Sequence, residues 1–449
     1  MKRAFGLIVA FMVCAALCGC DFSIKSADSL MRAPELPGDY ALLQKAFAAS
    51  VDTSFKLKNP VSGDHHSAFV LHDLDGDGNE EALVFYTRED SSTVYVTLMR
   101  RQADGSWIDS GVAESPGTDV NSVRFADIGG DAAEEIIVTW SVTDIPANKY
   151  LCVYGSGPDG NIFTMATELY DMLYVTDVNG DGVSEVFIAL RDTVDDEPLN
   201  YFKLLGYSAE YGLVSKISDV SVAPAAESFL AVASDTKGGS VRLFVDESTG
   251  NNIYQTEIIC WDDGSKRLYI PKTVSDRPLS SFTQRNVKTL CEDIDGDGMI
   301  EIPSVVRLPG ATRYDPENGV TENLYLNVWY AAEDDKLTDF KRYIDCSGSG
   351  YTFDFPESWM NLYTVQYDIS KGSLEFYLYN DEDSTRGGLL FSLERETVSD
   401  AVDDDDDLDR YPVYSGNEYN YFAIITPAAL EQGITAEEII GHFAPDSDG

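Results

Sequence analysis

The chain has 449 residues, of which 77 are acidic and 32 are basic, so its formal net charge is −45. Such a charge repels nucleic acid and anionic lipid headgroups and attracts divalent cations, which argues against nucleic acid as a partner. Apolar residues make up 44% of the chain, enough for a substantial core, and the length suits two or three domains.

The first residues are typical of an export signal. Two basic residues precede Ala4–Ala16, an apolar run too short to span a bilayer as a helix. The run ends in Leu-Cys-Gly-Cys at 17–20, which resembles a bacterial lipobox. We therefore expect 1–19 to be a lipoprotein signal peptide, and Cys20 to carry a lipid that anchors the exported protein to the outer face of the bacterial cell membrane. The alternative is an ordinary cleaved signal and a fully secreted protein.

Residues 20–50 are expected to form a tether followed by one short helix. The stretch up to Asp39 is rich in Ser, Pro and charge, whereas Tyr40–Ser50 has apolar residues at helical spacing.

Four cysteines remain beyond the anchor, and none forms a CxxC pair, so zinc is not supported. Three of them stand in apolar strand-like stretches, where we expect buried free thiols: Cys152, Cys260 and Cys291. Export permits disulfides, and the spacing leaves any pairing open, including that of Cys346.

A nine-residue acidic loop occurs three times intact, with oxygen-bearing side chains at positions 1, 3, 5 and 9 and glycine at positions 4 and 6. Calcium takes about six to eight hard oxygens, which the alternate side chains and the position-7 carbonyl of a tightly curled loop can supply. Without a metal, so many neighbouring carboxylates repel one another. We therefore predict Ca²⁺ with these ligands: Asp73, Asp75, Asp77, Asn79 and Glu81; Asp177, Asn179, Asp181, Val183 and Glu185; and Asp293, Asp295, Asp297, Met299 and Glu301.

A fourth copy of the loop is degraded, because Gly129 replaces the acid at position 3. It keeps positions 1, 5 and 9 and is a weaker calcium candidate, with the ligands Asp127, Asp131 and Glu135. Neither an EF-hand nor a dockerin-type loop fits any copy. Both need an acid at position 12, where the intact copies have Val84, Ile188 and Ser304.

Strand-like apolar runs flank every loop, which makes strand, acidic loop and strand the repeating unit. The first ligands fall at 73, 127, 177 and 293, so a decayed copy is expected near 235, where Phe229–Val245 has two strands, a glycine turn and no ligand set. Each period of about 50 to 58 residues has room for four short antiparallel strands, as in a propeller blade. In the first period these are Ala68–Leu71, Ala82–Tyr86, Val94–Arg100 and Trp107–Val112.

The loops and their strands, over about residues 60–343, resemble FG-GAP/VCBS-type repeats, the calcium-bearing blades of integrin α-chain propellers and of many bacterial surface proteins. The resemblance implies a β-propeller over 51–344, with metal loops on one rim and ligand binding on a face. Five periods predict about five four-stranded blades, with six as the alternative. The fold class is therefore predicted as mainly β.

Residues 345–449 have a different pattern and predict a small α+β domain. Strands are expected at Tyr363–Ile369, Leu374–Tyr379, Gly388–Glu394 and Tyr421–Thr426. Thr435 and Glu438 form a capping box for a helix over Ala436–Phe443. The acidic run Asp403–Asp407 is more typical of a solvated loop than of a metal site.

The sequence contains no catalytic motif of the HExxH, GxSxG or Walker type. His65, His66 and His72 stand near the first loop, where solvated turn residues are a simpler interpretation than a metal site or a base. The favoured hypothesis is a calcium-stabilised surface scaffold that binds a protein or a glycan. The alternatives are a polysaccharide-active enzyme on the same scaffold and a structural protein of envelope assembly.

Overall fold

The structure is a computed structural model that describes residues 38–446 except 90, 144–148, 158–159, 195, 274–275, 316, 318, 334–335 and 399–409. The predicted signal peptide, Cys20, the tether up to 37 and the run Asp403–Asp407 lie outside the described residues. Strands account for 58% of the structure and helices for 9%, which confirms the mainly β class. Within the described part, no helix is long and apolar enough to cross a membrane.

Helix α1 (Gly38–Ser50) contains the predicted helix and covers one face of the first sheet. Leu43 and Phe47 are each 1% exposed, and the Phe47 ring meets Tyr86 edge-on with centroids 5.1 Å apart. The first sheet has five strands, with β1 and β2 both paired to β3. Its strands are β1 (Phe55–Leu57), β2 (Phe69–His72), β3 (Glu81–Arg88), β4 (Val94–Arg101) and β5 (Trp107–Glu114).

The next three sheets each have four antiparallel strands in chain order. The second sheet comprises β6 (Asp119–Ala126), β7 (Glu135–Ser141), β8 (Lys149–Ser156) and β9 (Ile162–Leu169). The third comprises β10 (Met172–Thr176), β11 (Glu185–Val194), β12 (Glu197–Ser208) and β13 (Leu213–Val222). The fourth comprises β14 (Ser228–Lys237), β15 (Ser240–Gly250), β16 (Ile253–Asp262) and β17 (Arg267–Tyr269).

Successive sheets pack face to face, which explains why strands such as β3 and β7 are apolar on both sides. Phe85 of the first sheet meets Trp140 of the second, with ring centroids 6.0 Å apart. Separate hydrophobic clusters join the second sheet to the third, the third to the fourth and the fourth to the fifth. Among the described residues, no such cluster joins the first sheet to the fifth, and α1 occupies the free face of the first. Closure into a ring therefore stays a prediction.

The fifth sheet has ten strands and is nearly closed into a barrel. Its strands are β18 (Glu301–Asp315), β19 (Val320–Glu333), β20 (Lys336–Cys346), β21 (Tyr351–Asp354), β22 (Tyr363–Asp368), β23 (Ser373–Asn380), β24 (Thr385–Thr397), β25 (Arg410–Ser415), β26 (Tyr419–Ile425) and β27 (Phe443–Pro445). The far end of β18 pairs in parallel with β22, so hydrogen bonding continues across the predicted boundary at 344/345. The predicted last blade and the C-terminal region thus share one sheet, a connection that local strand patterns do not reveal.

Two short helices, α2 (Pro427–Glu431) and α3 (Ala436–His442), follow β26. The Thr435 side chain accepts the Glu438 backbone N–H at 3.3 Å, which confirms the predicted cap. The barrel interior is aromatic, and its Phe376 and Phe391 rings stack with centroids 4.2 Å apart. The four predicted C-terminal strands correspond to β22, β23, β24 and β26.

Candidate metal-binding loops

Each acidic loop precedes an interior strand of its sheet, namely β3, β7, β11 or β18. We number them by sheet: loop 1 is 73–81, loop 2 is 127–135, loop 3 is 177–185 and loop 5 is 293–301. Loops 1, 2 and 3 connect paired strands. In loop 5 the two ends are joined by a single bridge between Glu292 and Glu301. The fourth sheet has a short turn in the corresponding place.

In all four loops, the position-1 aspartate accepts the backbone N–H of position 6. The distances are 2.9 Å for Gly78 to Asp73, 3.0 Å for Ala132 to Asp127, 2.8 Å for Gly182 to Asp177 and 2.8 Å for Gly298 to Asp293. Position 6 takes a left-handed backbone in every copy, with φ between +67° and +89°. Glycine adopts this conformation readily, which explains its place in the intact loops.

The position-9 glutamate closes each loop from the other end. One of its carboxylate oxygens accepts the backbone N–H of position 2, at 3.0 Å for Leu74, 2.8 Å for Ile128, 2.8 Å for Val178 and 3.1 Å for Ile294. These four glutamates are buried, although they lie beside exposed aspartates. The sequence therefore folds all four loops into one recurrent backbone conformation, which is held by the acids at positions 1 and 9.

Two loops bring three acids close enough to share an ion. One oxygen each of Asp73, Asp75 and Glu81 lie within 4.8 Å of one another, and Asp293, Asp295 and Asp297 form the second group. In loop 3 the residue at position 3 is Asn179, whose amide donates to Glu185 and accepts the Asp181 N–H. Asn79, Val183 and Met299 donate their backbone N–H groups to the position-5 aspartates.

Burial and neighbouring carboxylates disfavour the ionised form of the position-9 glutamates. Burial is the largest cause of the raised pKa of Glu81, Glu135 and Glu301, and in Glu185 it raises the pKa to about 7. The aspartates of the same loop also raise the pKa of each glutamate, by repulsion between like charges. The pKa of Asp293 is lowered, because the Gly298 N–H donates to its carboxylate. A cation at the centre would relieve the repulsion that the glutamates experience.

Loop 2 keeps the conformation of the intact loops but lacks the acid at position 3. A Cβ added to Gly129 would lie 3.3 Å from Glu135 Oε1 and 3.6 Å from Asp131 Oδ1, so position 3 is directed among the acids. Ala132 holds position 6 with φ of +67°, which is strained for a residue with a side chain. Loop 2 is therefore a partial copy of the same site.

The fourth sheet has an arginine in place of an acidic loop. Arg242 Nη2 and Nε lie 2.5 and 2.7 Å from the carboxylate of Asp235, and Arg242 Nη1 donates to the Ala332 carbonyl at 2.6 Å. The Asp235 carboxylate also accepts the Ile300 N–H of loop 5 at 2.9 Å. The strand, glycine turn and strand predicted near 235 are thus present as β14 and β15, and the carboxylate of Asp235 is paired with an arginine of the same sheet.

Backbone hydrogen bonds link loops 1, 2 and 3, and we call the edge of the sheets where the acidic loops lie the rim. The N–H of Glu134 in loop 2 donates to the Leu74 carbonyl in loop 1 at 2.8 Å, and Ser184 in loop 3 donates to Asp127 in loop 2 at 2.9 Å. His72 contacts Glu134 through its ring nitrogen and stacks on Phe125, with centroids 3.8 Å apart. These contacts give His72 a packing role at the junction of loops 1 and 2.

Arg100 is a feature of loop 1 that sequence reasoning missed. Its Nη1 lies 3.2 Å from Asp75 Oδ2 and 3.7 Å from Glu81 Oε1. Arg100 follows Met99, the cross-strand partner of Ala82, and therefore comes opposite Glu81. A comparison of the residues opposite the four loop glutamates would have revealed Arg100, because it is the only charged one among them. The other sheets have small residues at this position: Gly155, Gly206 and Ala331.

The predicted buried thiols are confirmed. Cys152, Cys260 and Cys291 are buried thiols that form no disulfide, and so is Cys346. Burial raises the pKa of the Cys152 and Cys291 thiols, which keeps them neutral and unreactive. His442 lies against Phe353 and Trp359 in the barrel.

The loop chemistry fits a hard divalent cation. The side-chain donors are carboxylate and amide oxygens, which calcium prefers, and a cationic guanidinium already contacts two acids of loop 1. No protein-family model matches the chain, and no curated protein sequence matches it either. The assignment of the metal therefore depends on the donor set and its geometry.

Proposed function

We propose that the protein is an exported bacterial lipoprotein whose sheets form a calcium-stiffened scaffold that binds a protein or a glycan at the cell surface. In this proposal the sheets are blades of FG-GAP/VCBS-type repeats, and the lipid on Cys20 holds the scaffold at the membrane. Calcium occupies loops 1, 3 and 5, with loop 2 as a weaker site.

The recurrent hydrogen-bond pattern of the loops is the observation that carries this proposal. Asp73, Asp177 and Asp293 organise the backbone in the same way, and each loop ends in a buried glutamate. An ordinary hairpin turn needs neither a buried acid nor three further oxygen ligands around it. Calcium would supply the positive charge that holds these acids together.

The location of the loops supports a structural role for the metal. Each loop leads into an interior strand of a sheet, and backbone hydrogen bonds join loop 2 to loops 1 and 3. Calcium would therefore fix the rim of the stack, and the ligand would bind elsewhere on the scaffold. Exposed aromatic and aliphatic side chains of β9, β12, β13 and the turn between β12 and β13 provide contact area for such a ligand: Phe163, Leu169, Tyr207, Tyr211 and Ile217.

A thermal melt of the full chain in millimolar calcium and in chelator tests the metal. A site filled tenfold above its dissociation constant adds about 1.4 kcal/mol, so three sites should raise the midpoint by several degrees. The combined variant Asp73→Asn, Asp177→Asn and Asp293→Asn should lose this response.

The matched control replaces three exposed turn aspartates outside the loops: Asp104→Asn, Asp262→Asn and Asp383→Asn. It removes the same charge and should keep the full calcium response. A midpoint that does not depend on calcium in the wild-type chain would contradict the proposal.

Glycan arrays and pull-downs with surface proteins, each performed in calcium and in chelator, test the binding role. We expect a ligand whose retention falls in chelator and in the triple loop variant but not in the control variant. If every ligand were retained without calcium, ligand binding would not depend on a fold that the metal stiffens, which would contradict this part of the proposal.

A further inference from the structure

The guanidinium of Arg100 lies against the oxygens that a metal in loop 1 would need. Its Nη1 is 3.2 Å from Asp75 Oδ2 and 3.7 Å from Glu81 Oε1, so one cation already contacts ligand positions 3 and 9. The Glu81 side chain is only 6% exposed, which weakens solvent screening of its interaction with the arginine.

The position of Arg100 is fixed from the neighbouring sheet. Its Nη2 donates to Ser156 Oγ at the end of β8 at 2.7 Å, and its Nε is buried without a hydrogen-bond partner. Gly160 leaves room for the side chain, since a Cβ there would lie 3.1 Å from Arg100 Nε. The arginine thus extends from the first sheet across to the second and meets loop 1 on the way.

Loops 3 and 5 lack such a cation. Within the described part of the chain, no lysine or arginine forms an ion pair with the acids of either loop. The residues opposite Glu185 and Glu301 are Gly206 and Ala331, which carry no charge. The three intact loops therefore share one backbone geometry but differ in local charge.

We propose that Arg100 competes with the metal at loop 1, so that this loop binds calcium more weakly than loops 3 and 5 and fills after them as calcium rises. The inference depends on the proposed calcium sites. A metal that takes the Asp75 and Glu81 oxygens displaces the guanidinium from them, while Ser156 can retain it on the second sheet. Loop 1 would then become occupied at higher calcium concentrations than loops 3 and 5.

Calcium titration of loop 1 alone tests this proposal. The full chain carrying Asp127→Asn, Asp177→Asn and Asp293→Asn is titrated with calcium by calorimetry, with and without Arg100→Gln. Loss of a partly exposed ion pair to two carboxylates should lower the dissociation constant of loop 1 about threefold to tenfold. Arg100→Lys keeps the positive charge and should leave the dissociation constant near that of the parent.

Arg101→Gln is the matched control, because Arg101 is the next residue and pairs with Asp39 instead of the loop. It removes the same charge and should leave the calcium affinity unchanged. An Arg100→Gln variant with the same or weaker affinity than its parent would overturn the inference, while wild-type calcium binding would preserve the proposed function. Absence of calcium binding by the wild-type chain would defeat both.

Discussion

Replacement of Glu257 by glutamine should stabilise the protein at alkaline pH. Glu257 on β16 is 2% exposed, and its Oε2 has no hydrogen-bond partner. Gln255 Nε2 donates to Glu247 at 2.6 Å and lies 3.5 Å from Glu257, so one amide serves two buried acids. Among the described residues, no lysine or arginine forms an ion pair with either glutamate.

Burial raises the pKa of Glu257 to about 7 and that of Glu247 to about 8, and repulsion between the two adds to the value for Glu247. A carboxyl whose pKa is higher in the folded than in the unfolded state binds its proton more tightly in the folded state. The free energy of unfolding therefore falls as pH rises from the pKa of the unfolded state toward that of the folded state. For Glu257 the rise in pKa from 4.5 to about 7 lowers the free energy of unfolding by roughly 3 kcal/mol at pH 8.5 and by under about 1 kcal/mol at pH 5. Glutamine is neutral at both pH values and removes this cost.

Urea unfolding at pH 8.5 and pH 5 measures the effect. We expect Glu257→Gln to increase the free energy of unfolding by up to about 3 kcal/mol at pH 8.5 and by much less at pH 5. Glu210→Gln removes the same charge from an exposed turn and controls for the large net negative charge of the chain. Equal changes at both pH values, or a loss of stability at pH 8.5, would refute the assignment of a buried ionised carboxylate.

Three further predictions concern the rim. Ala132→Gly should stabilise the protein by about 1 kcal/mol in urea unfolding, because it relieves a left-handed alanine; a loss of stability would contradict the strain. Gly129→Asp should tighten calcium binding by loop 2 in calorimetry, because position 3 is directed toward Glu135 and the backbone there is not left-handed; an unchanged affinity would exclude position 3 as a ligand position in loop 2. Arg242→Met should cost about 3 to 5 kcal/mol in the same unfolding assay, since it leaves Asp235 buried and unpaired. A cost below about 1 kcal/mol would show that the pair is dispensable.

The loops and the strands that flank them could be predicted because local sequence determines them. The position-1 aspartate, the position-6 glycine and the position-9 glutamate hydrogen-bond within nine residues, so their spacing alone identifies the conformation. Strands β3 and β7 were visible as continuous apolar runs. Both kinds of signal depend on contacts between residues that are near in sequence.

Contacts between distant residues account for what the sequence did not predict. Arg100 reaches the acids of loop 1 only because β4 pairs with β3, and β18 joins β22 across an interval of about 50 residues. The buried amide of Asn200 donates to Glu247 on a different sheet at 2.5 Å. Hydrophobic periodicity places residues on a face of a strand, but it does not say which polar group of another sheet will meet them.

The fourth sheet gives the strongest support for a structural metal, because it shows what the rim requires where the acidic loop is missing. There the Asp235 carboxylate accepts the Ile300 N–H of loop 5, and the Arg242 guanidinium supplies the balancing positive charge. In the neighbouring sheets, backbone carbonyls of loops 1 and 2 accept the corresponding N–H groups. The Arg242 guanidinium thus balances an acid at the rim, which is the task that we propose for calcium in loops 1, 3 and 5. A fixed guanidinium can perform only a structural task of this kind, so the fourth sheet agrees with the structural role of the proposed metal.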